Sequence, residues 1–207
     1  MALKPLKIAL TGSIACGKSL FAKFLRELGV QTLDADDIVH ELIPDEERRR
    51  LAPIVFADPV ARKNLEVRIH PLVRARIDSW FASPCTSCSP RSPQTSQTPQ
   101  TSQTSQTSQT PPTPPLKLAI IPLLFECNWD ADYDIIICIS SPAEEQIRRM
   151  VETRGLTREA AEARLSAQLP VSEKAARSHY VVVNDSTVEH LHEEAVRCVE
   201  WLRSRQS

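Results

Sequence analysis

Gly12-Ser13-Ile14-Ala15-Cys16-Gly17-Lys18-Ser19 fits the pattern G-x-x-x-x-G-K-[ST] at every fixed position and directly follows the apolar run Lys7-Ile8-Ala9-Leu10. A loop that joins a buried strand to a helix N-terminus leaves successive backbone N–H groups unpaired and aimed at one spot, which phosphate oxygens can fill. Lys18 then reaches the β- and γ-phosphates as a point charge, and the Ser19 hydroxyl is a ligand for the Mg²⁺ that bridges them. The competing reading, an ordinary glycine-containing turn, loses because strand, loop and helix all agree with the motif. A second set of candidate groups is Asp34-Ala35-Asp36-Asp37, three carboxylates where the next strand should end. Ligands of open parallel sheets bind outside the carboxyl ends of the strands, so Asp34 or Asp36 can face the γ-phosphate. Acids that merely favour a helix dipole are the alternative. Beside a phosphate loop that alternative loses ground, because phosphoryl transfer to a hydroxyl needs a carboxylate to orient and deprotonate it.

These groups need a scaffold, and the hydrophobic pattern supplies one. Leu20, Phe21, Phe24, Leu25 and Leu28 recur at helical spacing after the loop, and Gly29 stands where a C′ glycine should end that helix. Strands are predicted at 30–33, 116–121, 133–139 and 180–183, separated mostly by helices, which is the pattern of βαβ units. Ser141-Pro142-Ala143-Glu144 reads as a capping box with proline at N1, opening a helix that carries Ile147 and Met150. Thr157 caps the next helix, whose Ala160, Ala161 and Leu165 form a core stripe. The last helix, near 188–203, turns Leu191, Ala195, Val199 and Leu202 toward the sheet.

The 207 residues, 42% of them hydrophobic, suffice for one sizeable core. Lys+Arg 25 against Asp+Glu 26 leaves a formal charge of -1, so no overall basic field invites nucleic acid or an anionic membrane. With no apolar leader and no long apolar stretch, the expectation is a soluble cytoplasmic enzyme. The six cysteines lie in unlike contexts, which argues for reduced thiols rather than a disulfide framework. Cys85-Thr-Ser-Cys88 has metal-site spacing without the second ligand pair that zinc needs. Between 83 and 115 the chain is almost entirely Ser, Thr, Gln and Pro. A segment of that composition cannot offset its ordering entropy, and a disordered insertion is expected there.

Taken together, the residues resemble the dephospho-CoA kinases. The resemblance rests on the phosphate loop, on Asp34-Ala35-Asp36, and on Leu65-Glu66 followed by Ile69-His70-Pro71. It continues through Ile121-Pro122-Leu123-Leu124-Phe125-Glu126, Gln146-Ile147-Arg148-Arg149, Arg164 to Gln168, Pro170, Lys174 and Tyr180 to Asn184. It implies an α/β fold of the P-loop NTPase type, three-layer α/β/α with a five-stranded parallel sheet. A small helical substrate-binding region at 35–82 and a helical lid at 142–178 would complete a single domain. It also implies transfer of the ATP γ-phosphoryl group to the ribose 3′-hydroxyl of dephospho-CoA, the last step of coenzyme A synthesis. Asp36 then matches the catalytic base, with Asp34 as the fallback and a substrate contact, and Gly12 to Ser19 match the ATP and Mg²⁺ site. Asn184 matches a further nucleotide-site position. His70 and the nearby Arg74 fall in the acceptor-binding region, and Arg149 matches a lid arginine that clamps the transferring group in a site closed to water. For His70 and Pro71 the alternative is a kinked helix with a surface histidine.

The sequence departs from the family at several points. Ala15 and Cys16 stand where glycine is usual. Thr153 takes the place of a second lid arginine, with Arg154 one position later and about a hundred degrees around the helix. Val183 replaces a common Asp, and the region after His40-Glu41-Leu42 is shortened. A nucleoside monophosphate kinase or other P-loop small-molecule kinase, and a nucleotide-binding pseudoenzyme that lacks turnover, are the competing readings.

Overall fold

The structure, a computed structural model, describes residues 6–84 and 115–206. Most of the expected insertion, including Cys85 and Cys88, lies outside the described residues. Five parallel strands form one sheet: β1 (Ile8–Gly12), β2 (Gln31–Asp34), β3 (Lys117–Ile120), β4 (Ile135–Ser140) and β5 (Tyr180–Val183). They lie in the order β2-β3-β1-β4-β5. The phosphate loop therefore leaves the central strand, beside the point where strand order reverses. Ile8 pairs with Leu118 on one side and with Ile135 on the other.

Both faces of the sheet are covered, so the inner strands read as continuous apolar runs rather than alternating ones. The period of two still sorts their side chains. Ile8, Leu10, Leu118, Ile137 and Ile139 face a core completed by α1 (Lys18–Glu27) and α8 (Val188–Ser204). Ala9, Ala119 and Ile136 face the opposite core, filled by Ile38 of α2 (Ala35–Leu42) and by Val73, Ile77 and Phe81 of a later helix. Each fully buried Leu, Ile or Phe contributes about 1.5–3 kcal/mol of transfer free energy, so the sheet and its two layers stabilise one another.

α1 ends as its sequence predicts. Gly29 has φ +87, its N–H donates to the Arg26 carbonyl at 3.0 Å, and the Val30 N–H donates to the Leu25 carbonyl at 2.9 Å. That pair of bonds is the Schellman motif, and it turns the chain straight into β2. The segment expected to bind the acceptor folds as α2, α3 (Asp45–Ala57) and α4 (Pro59–Ala82). Pro71 lies inside α4, which continues through it as one helix.

The segment expected as the lid folds as α5 (Ala143–Arg154), α6 (Arg158–Ser166) and α7 (Val171–Ala176). Thr157 caps α6 by accepting the Ala160 N–H at 3.2 Å. The expected capping box at Ser141 does not form. Pro142 is the N-cap, and the Ser141 hydroxyl donates instead to the Asn184 carbonyl at 2.8 Å, tying β4 to the end of β5. Glu144, its expected partner, is held by Arg158 at 2.8 Å.

Candidate active site

Four carbonyls of the loop after β1 are taken up by side-chain donors. Lys18 Nζ donates to the carbonyls of Gly12 at 2.9 Å and Ser13 at 2.7 Å. Asn184 Nδ2 donates to the Cys16 carbonyl at 2.9 Å, and an Arg149 guanidinium nitrogen to that of Ala15 at 3.3 Å. With the carbonyls so occupied, the first-turn N–H groups of α1, which have no intrahelical partner, present a converging positive end to the cleft. Two glycines make this close approach feasible. A Cβ on Gly12 would sit 2.4 Å from the Ile139 carbonyl oxygen, and one on Gly17, at φ +100, would sit 2.3 Å from Asn184 Nδ2. Ala15 adopts φ +56 without glycine's freedom, at a cost of about 1 to 2 kcal/mol.

A cleft of about 680 Å³ opens over this loop, with Lys18, Ser19, Asp34, Asp36, Arg149 and Arg154 among its lining residues. The two aspartates are not equivalent. Asp34 is the N-cap of α2, and its Oδ1 accepts the Asp36 N–H at 2.9 Å. Burial pushes its carboxyl up, and that hydrogen bond opposes the rise. Among the described residues the Asp36 carboxylate has no hydrogen-bond or ion-pair partner. Burial against the protein also pushes it up, while the nearby Lys18 ammonium favours its charged form. The short α2 cap thus uses one carboxylate to aim the other.

On the lid side, Arg149 Nε is held by Glu145 at 3.0 Å, which fixes the guanidinium over the loop. Arg148 is engaged by Glu145 at 2.6 Å and Glu152 at 2.8 Å on the outer face of α5. Arg154 reaches the cleft and has no carboxylate partner among the described residues. Thr153, which also lines the cleft, returns its hydroxyl to the Arg149 carbonyl at 2.6 Å.

Several sequence candidates occupy other places. Gly12, Ser13 and Asn184 do not line the cleft; Ser13 and Asn184 are 1% and 7% exposed, and Asn184 braces the loop through its bond to the Cys16 carbonyl. His70 and Arg74 are not brought to the cleft. The His70 ring meets Trp129 edge-on at 5.3 Å, with the Cys127 sulfur 3.9 Å from Nε2. Arg74 is paired with Asp132. Two features carried no assigned role in the sequence. Gln168 Oε1 accepts the Ile14 N–H at 2.9 Å. Lys174, wholly buried, pairs with Glu126 at 2.7 Å and donates to the Pro122 carbonyl at 3.1 Å, behind the cleft wall. Spacing could not expose either, because the partners are far apart in the chain.

This geometry has known counterparts. The family model described as dephospho-CoA kinase matches residues 6–48 and 96–190. A dephospho-CoA kinase from Symbiobacterium thermophilum is 34% identical over 204 residues, covering 88% of this chain and 75% of its own. One from Anaeromyxobacter dehalogenans is 33% identical, covering 95% and 92%. Among solved structures, TT1252 from Thermus thermophilus superposes with TM-score 0.68 at 30% identity, covering 95% of this chain and 96% of that one. A shikimate kinase from Acinetobacter baumannii, 17% identical with TM-score 0.55 over 98% and 96% of the two chains, shares the fold. The family model covers most of the chain and a relative 34% identical spans 88% of it, so the chain belongs to the dephospho-CoA kinase family.

Proposed function

We propose that the cleft transfers the γ-phosphoryl group of ATP to the ribose 3′-hydroxyl of dephospho-CoA, yielding coenzyme A and ADP. The observation that carries this reading is the Asp36 carboxylate, without a partner among the described residues, on the same cleft as Lys18 and Arg149. Asp36 accepts the proton of the 3′-hydroxyl as its oxygen bonds to the γ-phosphorus. The bond from that phosphorus to the β–γ bridging oxygen breaks, and ADP leaves with the charge. Lys18 and the N–H groups at the start of α1 hold the β- and γ-oxygens. Arg149, with Arg154 beside it, stabilises the charge spread over the transferring group. Asp34 keeps α2 aimed so that Asp36 meets the hydroxyl.

The oxygen donors suit Mg²⁺: an exposed Ser19 hydroxyl and carboxylates on one cleft, with no cluster of three His, Cys, Asp or Glu among the described residues able to cage a metal by itself. Such a cation takes most of its ligands from water and phosphate, and Ser19 would hold it. Held at Ser19, Mg²⁺ would supply charge neutralisation for the phosphate oxygens during transfer. His70 and Arg74 lie off the cleft, beside Trp129 and Asp132, and are assigned no step of the transfer itself. Unpaired, buried Cys16, Cys138 and Cys198 support a reducing compartment, the cytoplasm. No described helix is long and apolar enough to cross a membrane.

The test is ADP release with ATP and, in parallel, dephospho-CoA, adenosine or AMP, with the product mapped by mass spectrometry. Turnover with dephospho-CoA and a 3′-phosphorylated product is expected. Faster turnover of AMP would reassign the acceptor, and nucleotide binding without transfer to any of the three would leave a binding protein only.

A further inference from the structure

The lid touches the phosphate loop in two opposite ways. Arg149 donates to the Ala15 carbonyl and so leaves the loop's own donors free. Gln168 does the reverse: its Oε1 accepts the Ile14 N–H at 2.9 Å across 154 residues of sequence, and its side chain lines the cleft. Between those two contacts stands Ala15 at φ +56, a left-handed conformation that disfavours any residue with a Cβ. The side chains of Ile14 and Ala15 pack into a small core with Ile147, Met150 and Ala161 of the lid. The first half of the loop therefore takes its shape from the lid, where a glycine would have reached that shape unaided.

We propose that Gln168 is a positioning residue for phosphoryl transfer: by holding the Ile14 N–H it keeps Ala15 in its left-handed turn and so aims the loop donors that follow. The inference rests on the kinase reading above. Neutral Gln168 adds no charge to the transferring group, so its influence passes through the backbone of the loop. With a Cβ at position 15 the turn leans on Gln168 more than a glycine there would, so the two positions are coupled in this chain.

Steady-state kinetics on the full chain, with ATP and dephospho-CoA, test this through a double-mutant cycle of Gln168→Met and Ala15→Gly. Methionine keeps the length of glutamine and removes the acceptor. Gln168→Met should lower kcat about tenfold while KM for dephospho-CoA and Tm stay close to wild type. In the Ala15→Gly background the same change should lower kcat by about twofold or less, because glycine holds the turn by itself. Equal losses in the two backgrounds would overturn the proposal. So would a Gln168→Met enzyme with wild-type kcat, whether or not its Tm fell. A wild-type chain without dephospho-CoA turnover would instead refute the underlying reading.

Discussion

Replacing Lys174 by Met tests whether the cleft wall depends on the charge buried behind it. The Lys174 side chain is 0% exposed, with Nζ 2.7 Å from Glu126 Oε1 and 3.1 Å from the Pro122 carbonyl oxygen. Methionine fits the same channel but leaves the Glu126 carboxylate with the Leu169 N–H, at 3.1 Å, as its remaining hydrogen bond, since Oε2 already has no partner. Removing one member of a buried pair costs about 3–5 kcal/mol, most of it the uncompensated charge that remains. The Glu126 side chain is 22% exposed, so water relieves part of that cost and the lower end, about 3 kcal/mol, applies. For a chain of this size the expected fall in Tm is about 6–12 °C. Urea unfolding should show a lower midpoint with an unchanged m-value. The double variant Lys174→Met, Glu126→Leu should regain most of the loss, because a packed apolar pair replaces an ion pair at little cost. Turnover in that double variant should stay reduced, since Pro122 lines the cleft and Leu169 adjoins Gln168. A Lys174→Met protein within about 1 kcal/mol of wild type, or a double variant as unstable as the single, would refute this account of the pair.

Asp36→Asn should lower kcat by about 10²–10⁴-fold with little change in ATP binding. Asp34→Asn should do less, because an asparagine oxygen still caps α2; a reversed order would make Asp34 the base. The Asp36 carboxyl is pushed above its ordinary 3.8, so kcat should rise with pH through that raised value, and this acid limb should vanish in Asp36→Asn. The same sign makes the ionised carboxylate slightly destabilising above its folded pKa and relieves it as pH falls. Asp36→Asn should therefore melt no lower than wild type at neutral pH, and a lower Tm would contradict the burial argument. Lys18→Ala should cut phosphoryl transfer by about 10²–10³-fold in a folded protein, and unchanged turnover would dismiss the loop assignment. Deleting residues 87–113 should leave Tm and turnover near wild type. Lys117 Nζ joins the two flanks, donating to the Trp80 carbonyl at 2.7 Å and the Ser83 carbonyl at 2.6 Å, and Phe81 shares a core with Ala119. Unfolding or loss of turnover would show that the deleted stretch is structural.

What could be read from the sequence is what physics keeps local. Successive N–H groups converge on a phosphate only from contiguous residues, so Gly12 to Ser19 announced the loop, and Gly29 announced the end of α1, without any tertiary knowledge. The inner strands were legible because burial on both faces leaves unbroken apolar runs, although β2 and β4 begin one and two residues later than the pattern suggests. Local rules failed where a distant group competed. Ser141 has the sequence of a cap, but the Asn184 carbonyl takes its hydroxyl and the Gln146 amide donates to its carbonyl at 2.7 Å. His70 has the chemistry of a site residue, but its contact with Trp129, from a distant part of the chain, is one that local spacing could not announce. The same competition explains why the loop motif specifies less than its match implies. Its eight residues define which donors exist, whereas Asn184, Arg149 and Gln168, from the end of β5 and from the lid, decide where those donors point. A chain with an intact motif and altered lid side chains would bind phosphate in a loop of the wrong shape, so activity in this family member is a property of the loop and lid together.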